Sequence, residues 1–144
     1  MQQEFSEQQL MQMAQQEEAV LNSKRNFLRK IVSIYQDSER TIASLEEMGK
    51  NPEKMYMNLG SGVLIEVEAK NKTNCKRAFA ENGYLEEKIT QTLKWLEKKK
   101  DTSKQQVERI EQDIASSDAK LSDIVSVLRQ IETEKRKQFN ISKK

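Results

Sequence analysis

The chain lacks histidine and is poor in cysteine, proline and glycine, with one Cys, one Pro and four Gly in 144 residues. Without histidine it has neither the commonest general base nor the commonest metal ligand. The single Cys75 excludes an intrachain disulfide framework and is typical of a reducing compartment. We therefore expect a protein that is not an enzyme, with no catalytic residue, no metal ligand and no cofactor.

Long apolar runs are also missing. No segment approaches the ~20 apolar residues that a membrane span requires, and the start, Met1-Gln2-Gln3-Glu4, lacks the basic and apolar regions of a signal peptide. The 25 Lys and Arg nearly balance the 23 Asp and Glu, so the net charge is +2. A charge near zero argues against bulk nucleic-acid binding. We expect neither a membrane nor a nucleic acid as a partner.

The residues that break helices are confined to the middle of the chain. Residues 6–48 hold no Gly or Pro, residues 49–87 hold all four Gly and the only Pro, and the remainder again holds neither. This distribution predicts a single domain, residues 1–144, that is mainly α. Its parts would be an N-terminal helix over 6–48, a β-hairpin insert over 49–87, a C-terminal helix over 88–138, and a basic tail over 139–144.

Apolar residues recur every seven positions in both breaker-free segments. In the second segment a 4-3 alternation runs from Ile89 to Ile131 and is broken at Lys100, Ser103 and Ser117. The first segment has two adjacent rows, so its stripe is wider than a two-stranded seam needs, and Lys24 interrupts a third row. These repeats predict coiled-coil helices. The two rows are Met13, Val20, Phe27, Ile34, Thr41 and Met48, and Ala14, Leu21, Leu28, Tyr35 and Ile42.

The end charges predict that the two helices pair antiparallel within one chain. Residues 1–23 carry four acids and no base, and residues 135–144 carry five bases and no acid. Antiparallel pairing brings these opposite charges together. Pairing Met48 with Ile89 across the insert sets a register that places Leu10 near Val127. Ser6 and Gln9 match a capping box at the start of the first helix.

The insert has the pattern of two β-hairpins. Gly60-Ser61-Gly62 supplies the first turn, and Asn82-Gly83 is a strong signal for the second, because both positions tolerate φ > 0. Four short strands leave open edges, which pair readily with other chains. We therefore expect other subunits to complete the insert. The predicted oligomerisation residues are Leu59, Gly60, Gly62, Val63, Ile65, Val67, Ala78, Ala80, Gly83 and Leu85.

Two other features suggest chemistry only weakly. Gly60 and Gly62 lack the remaining residues of a phosphate-binding loop or a dinucleotide fingerprint, so a tight turn is the better interpretation. The basic cluster Lys98–Lys100, with Trp95 nearby, is followed at once by Asp101 and does not form the sustained basic face that phosphate binding needs. An exposed helix face, with Trp95 packed on the hairpins, explains it better.

Apolar residues near both chain ends form a candidate binding tip, because the antiparallel register brings them together. Flexible, polarisable Met side chains suit surfaces that bind many partners. Two interpretations stay open: these residues contact other proteins, or they have no binding role and either close the coiled coil or are frayed ends. The candidate client-binding residues are Phe5, Leu10, Met11, Met13, Phe139 and Ile141.

Residues 57–98 resemble the α-type subunit family of prefoldin. Asn58-Leu59-Gly60-Ser61-Gly62-Val63 is similar to the family's PLGSGV-like first hairpin, and the segment from Asn82 to Lys88 to its GxGYxVEK-like second hairpin. Leu93, Trp95 and Leu96 with Glu97-Lys98 resemble the FLEKR-like start of its second helix. Lys76, Arg77 and Glu81 depart from the usually apolar third strand. The eukaryotic subunit 5 type fits best, and the subunit 3 type and the UXT-like paralogue stay open.

The resemblance implies a heterohexamer of two α-type and four β-type prefoldin subunits, whose hairpins complete intersubunit β-barrels. It implies a cytoplasmic co-chaperone, with the nucleus as an alternative location. Such a complex grips unfolded proteins such as actin and tubulin at its coiled-coil tips, without nucleotide, and delivers them to the cytosolic group II chaperonin. The alternative is a structural coiled-coil adaptor in a scaffold or transcription-linked complex.

Overall fold

A computed structural model describes residues 5–50 and 55–142. Two long helices flank two β-hairpins, so the predicted order of helix, two hairpins and helix is confirmed, and the fold is mainly α. The elements are α1 (Glu7–Lys50), β1 (Met55–Gly60), β2 (Val63–Val67), β3 (Asn74–Ala80), β4 (Gly83–Lys88) and α2 (Ile89–Ser142).

The helix ends follow from local capping and composition. The Ser6 amide donates to Gln9 Oε1 at 2.9 Å and the Gln9 amide donates to Ser6 Oγ at 3.2 Å, so the predicted capping box is confirmed. Gly49 does not end α1, which continues to Lys50, and Pro52 lies outside the described residues. α2 extends through residues 139–142, which the sequence had assigned to the basic tail.

The two hairpins are separate two-stranded antiparallel sheets, β1 with β2 and β3 with β4. In the first, Gly60 pairs with Val63, and the turn residues Ser61 and Gly62 have φ of 52° and 76°. Positive φ at both central positions is the geometry of a type I′ turn, which only glycine and a few polar residues tolerate.

The second turn differs from the predicted Asn-Gly turn. Ala80 pairs with Gly83, so Glu81 and Asn82 are the turn residues and Gly83 already belongs to β4. Within the described part of the chain, positive φ is confined to Gly60, Ser61 and Gly62. The Asn82-Gly83 signal therefore identified the hairpin but placed its turn one residue too late.

The chain divides into two compact units. The first unit combines Met1–Ile31 with Gln106–Lys144, and the second is Val32–Gln105. In the first unit the two helical segments run antiparallel, and their buried apolar residues are Leu10, Leu21, Ile31 and Ile110. In the second unit the buried apolar residues are Ile42 and Leu96, accompanied by the buried hydroxyl residues Ser38, Thr92 and Ser103.

The register of the antiparallel pair differs from the prediction by about one helical turn. The predicted register places Lys24 opposite Asp113, but the Lys24 amine donates to Ser117 Oγ at 2.8 Å. Both residues interrupt the heptad repeats. A half-buried ammonium group without a partner is costly, so the register that gives Lys24 a hydroxyl acceptor is favoured. Arg25 and Asp118, 3.9 Å apart, occupy the adjacent position in the same unit.

No helix among residues 5–50 and 55–142 is long and apolar enough to span a membrane.

Candidate assembly surface and binding tip

One face of the first hairpin is entirely apolar and largely uncovered. Strand pairing places Met55 opposite Val67 and Met57 opposite Ile65, and directly paired residues share a face of the sheet. Met57 is 49% exposed and Ile65 is 40% exposed. We call this surface the apolar hairpin face. Its members are Met55, Met57, Leu59, Val63, Ile65 and Val67.

The end of α1 covers part of this surface. A cleft of about 480 Å³ lies within the second unit, where the last turns of α1 approach the start of β1 and the end of β2. The α1 residues on the other side of this cleft leave Met55 and Val67 half-buried, whereas Leu59 and Val63 stay more than half exposed. Its residues are Ser44, Leu45, Glu47, Met48, Met55, Tyr56, Met57 and Val67.

The second hairpin is attached to α2 by a polar cluster that we call the Arg77 clasp, formed by Arg77, Glu87, Thr92 and Trp95. Arg77 Nε donates to Glu87 Oε1 at 2.6 Å, and Thr92 Oγ1 donates to the same oxygen at 2.8 Å. The guanidinium carbon of Arg77 lies 4.3 Å from the centre of the Trp95 ring. These hydrogen bonds, the one from Arg77 first, lower the pKa of Glu87 below its ordinary value.

Cys75 lies beside the clasp as a strand residue. Its Sγ is 3.1 Å from Thr92 Oγ1, and Cys75 pairs across the hairpin with Glu87. Because Thr92 gives its one hydroxyl proton to Glu87, the thiol is the donor to Thr92. Among the described residues, no group of three or more Cys, Asp and Glu is arranged to hold a metal ion.

The remaining predicted oligomerisation residues of the second hairpin lie on two faces. Ala78 pairs with Tyr84, whereas Leu85 pairs with Arg77 on the opposite face. A Cβ on Gly83 would lie 2.9 Å from the tip of the Phe79 ring, so this glycine lets the ring cross the strand. Tyr84 and Phe79, absent from the predicted set, are 69% and 66% exposed.

The basic cluster Lys98–Lys100 is partly used within the second unit. Lys99 Nζ lies 4.9 Å from the Trp95 ring centre, and Lys100 Nζ lies 3.7 Å from Glu39 Oε1. Trp95 thus contacts Arg77 of the hairpin, as the helix-face interpretation expected. Two of the three lysines are occupied by contacts that compete with phosphate binding.

In the first unit, apolar residues from both helix ends lie near an interhelical ion pair. Lys135 Nζ donates to the Glu7 carboxylate and joins the start of α1 to the end of α2. Met11 is 52% exposed and Ile141 is 73% exposed. We call the exposed set the tip cluster. Its members are Phe5, Met11, Met13, Phe139 and Ile141.

Leu10 does not belong to the tip cluster. It is only 7% exposed and is part of the core of the first unit. The sequence grouped it with Met11 and Met13 by proximity, but adjacent helical positions point in different directions. Leu10 lies in the row that also holds Ile31, so its packing role outweighs its position near the chain end.

Two parts of the site were missed by sequence reasoning. The sequence treated Arg77 as a departure from the usually apolar third strand and did not pair it with Glu87, although their positions on facing strands of one hairpin were a usable signal. Met55 and Met57 were not among the predicted oligomerisation residues, although they belong to the apolar hairpin face. Their alternation with Tyr56 was the available signal, since residues two apart share a face.

This architecture defines a class of protein: a long helix, two β-hairpins and a second long helix, with an apolar face exposed on the first hairpin and an ion pair between the start of α1 and the end of α2. A family model described as "Prefoldin subunit" matches residues 14–134. The chain therefore belongs to the prefoldin family, a family of chaperone-type subunits.

A solved structure has the same fold. Filamentous PFD (prefoldin) from Methanocaldococcus jannaschii, solved by cryo-EM, superposes with a TM-score of 0.62 at 18% sequence identity, covering 78% of this chain and 94% of the other. At that identity the likeness shows the fold alone. No curated protein sequence is significantly similar to this chain.

Proposed function

We propose that the chain is an α-type subunit of a heterohexameric, ATP-independent co-chaperone with two α-type and four β-type subunits. The apolar hairpin face supports the assembly step, because sister hairpins would remove its side chains from water by completing β-barrels. Burial of each side chain contributes about 1.5–3 kcal/mol before ordering costs. The eukaryotic subunit 5 type is the version we propose.

The proposed action is capture of unfolded proteins at the tip cluster. The observation that carries it is the exposure of Met11 and Ile141 near one ion pair, Glu7–Lys135. Non-native chains expose scattered apolar side chains, and several weak contacts from different subunits hold such a chain by effective concentration. Weak individual contacts also permit release. Actin and tubulin are the proposed clients, and the cytosolic group II chaperonin is the proposed recipient.

The test is a triple substitution in the assembled complex, Met11→Gln, Phe139→Gln and Ile141→Gln. Glutamine is a good helix former, so the helices and the assembly should persist. Suppression of aggregation of denatured actin should fall several-fold. The matched control is Val127→Gln, which removes an apolar side chain of similar exposure from the first unit, 42%, away from the chain ends. Full protection by the triple variant would exclude the tip mechanism.

The structural adaptor is the second candidate, because an adaptor would assemble through the same hairpins. Native mass spectrometry of the purified complex separates the two. Four β-type prefoldin subunits would support the co-chaperone, and scaffold components without them would support the adaptor. A cytoplasmic location is proposed with the co-chaperone, and a nuclear location is the alternative.

A further inference from the structure

The first hairpin has a second exposed face, opposite the apolar hairpin face. Strand pairing places Tyr56 opposite Glu66 and Asn58 opposite Leu64, and directly paired residues share a face of the sheet. Tyr56 is 66% exposed and Leu64 is 59% exposed. We call the surface formed by Tyr56, Asn58, Leu64 and Glu66 the outer hairpin face. It shares no residue with the apolar hairpin face or with the tip cluster.

The two large side chains of the outer hairpin face are neighbours. Tyr56 and Leu64 are diagonal across the two strands, a distance within reach of long side chains. The residue directly opposite Leu64 is used by the turn, because Asn58 Oδ1 accepts a hydrogen bond from the Gly60 amide at 2.8 Å. Single exposed apolar residues are ordinary on a protein surface, whereas an adjacent aromatic and aliphatic pair offers one contact area.

The charges beside Tyr56 are of one sign. Glu66 is the charged member of the outer hairpin face, and Glu47 is the charged residue among those that line the cleft together with Tyr56. Both glutamates are exposed, and neither forms an ion pair within the described part of the chain. The face of an aromatic ring also attracts cations. Carboxylates and a tyrosine ring together match arginine, which pairs with the first and stacks on the second.

We propose that the outer hairpin face binds a short extended segment of another protein, in which an arginine and an aliphatic residue are two positions apart. The arginine stacks on Tyr56 and pairs with Glu66, and the aliphatic residue covers Leu64. These two contacts are two residues apart along the strands, about 6.6 Å, and an extended segment presents alternate residues on one face at the same spacing. The site goes beyond the proposed function, because it lies opposite the face that assembly would bury.

The experiment uses a short fluorescent peptide with a central Arg-Thr-Leu sequence between Ser and Thr residues, the Arg peptide. The Glu peptide has Glu in place of Arg, and the shifted peptide has the same composition as the Arg peptide with Arg and Leu adjacent. Fluorescence anisotropy with the full chain should show binding of the Arg peptide and about tenfold weaker binding of each control. Added salt should weaken binding of the Arg peptide, because the carboxylates are exposed.

A charge reversal separates recognition from folding. Glu66→Arg should weaken binding of the Arg peptide about tenfold and raise binding of the Glu peptide to a comparable level. A variant with a misfolded hairpin would bind neither peptide, so the gain for the Glu peptide shows that the hairpin persists. The matched control is Ile65→Thr, which alters the adjacent residue on the apolar hairpin face, keeps a β-branched side chain and should leave binding unchanged.

A photo-crosslinker identifies the face that the peptide occupies. Benzoylphenylalanine in place of Tyr56 keeps an aromatic side chain and should label the Arg peptide. In place of Met57, which is also exposed but belongs to the apolar hairpin face, it should not.

Four results would overturn the proposal. They are equal binding of the Arg and Glu peptides, unchanged binding by Glu66→Arg, labelling from position 57, and self-association of the full chain that Leu64→Thr abolishes. The third would place the peptide on the apolar hairpin face, and the fourth would identify the outer hairpin face as a contact between copies. The test contains neither sister subunits nor an unfolded client, so its failure does not bear on assembly or client capture.

Discussion

At the scale of single residues, the Arg77 clasp shows that a charge pair can link two elements when it is partly buried between them. Arg77 and Glu87 expose only 20% and 12% of their side chains, and Thr92 and Trp95 of α2 contact them. The pair therefore ties the second hairpin to the first turns of α2. A partly buried carboxylate that loses such donors is left unsatisfied, which makes the clasp sensitive to the charge of Glu87.

The clasp should open in acid. The pKa of Glu87 is lower in the folded chain than its ordinary value of 4.5, so its stabilising effect is present above about pH 4.5 and is lost as the pH falls through the folded pKa. Trp95 is the only tryptophan and stacks on Arg77, so its fluorescence should change over that range. Glu87→Gln should remove this transition, and Glu66→Gln, on the first hairpin, should retain it. An unchanged transition in Glu87→Gln would assign it to another carboxylate.

At the level of elements, the sequence predicted the helices and hairpins because their signals are local. Heptad periodicity, the capping box of Ser6 and Gln9, and the glycine turn each depend on residues close together in sequence. The register of the two helices depends on residues about ninety apart, such as Lys24 and Ser117. The predicted register was set by pairing Met48 with Ile89 next to the insert and took no account of the polar residues that interrupt the heptads. In the structure two of these polar residues hydrogen-bond to each other, and this contact determines the register.

The Lys24–Ser117 contact should therefore contribute to the stability of the helical pair. Ser117→Ala should reduce the free energy of unfolding by about 0.5–1.5 kcal/mol, because the half-buried amine loses its acceptor. In the Lys24→Met background the same change should cost little. Urea unfolding of the full chain, followed by circular dichroism, measures both. Ser116→Ala is the matched control on the exposed neighbour, and equal costs in the two backgrounds would mean that the residues are not coupled.

For the whole molecule, the informative feature is the apolar surface that the single chain leaves uncovered. The sequence indicated that partners complete the hairpins, but it placed Ala78 and Leu85 in one set although they lie on different faces. The bulge between Ala78 and Ala80 and the turn one residue early at Glu81 affect which side chains share a face of the second hairpin, and neither has a strong local signal. The apolar face of the first hairpin was predictable because strict alternation specifies it.

That face makes assembly sensitive to a single charge. Ile65→Asp places a carboxylate among Met57, Val63 and Val67, where burial against a sister hairpin is costly, and it should weaken subunit association at least tenfold. Glu66→Gln changes the adjacent residue on the opposite face and should have little effect. Native mass spectrometry with fixed amounts of the other subunits measures the assembled fraction, and circular dichroism of the full chain checks that α1 and α2 persist. Normal assembly of Ile65→Asp would show that the subunits meet through another surface, and the exposed second-hairpin residues Phe79 and Tyr84 would then be the first to test.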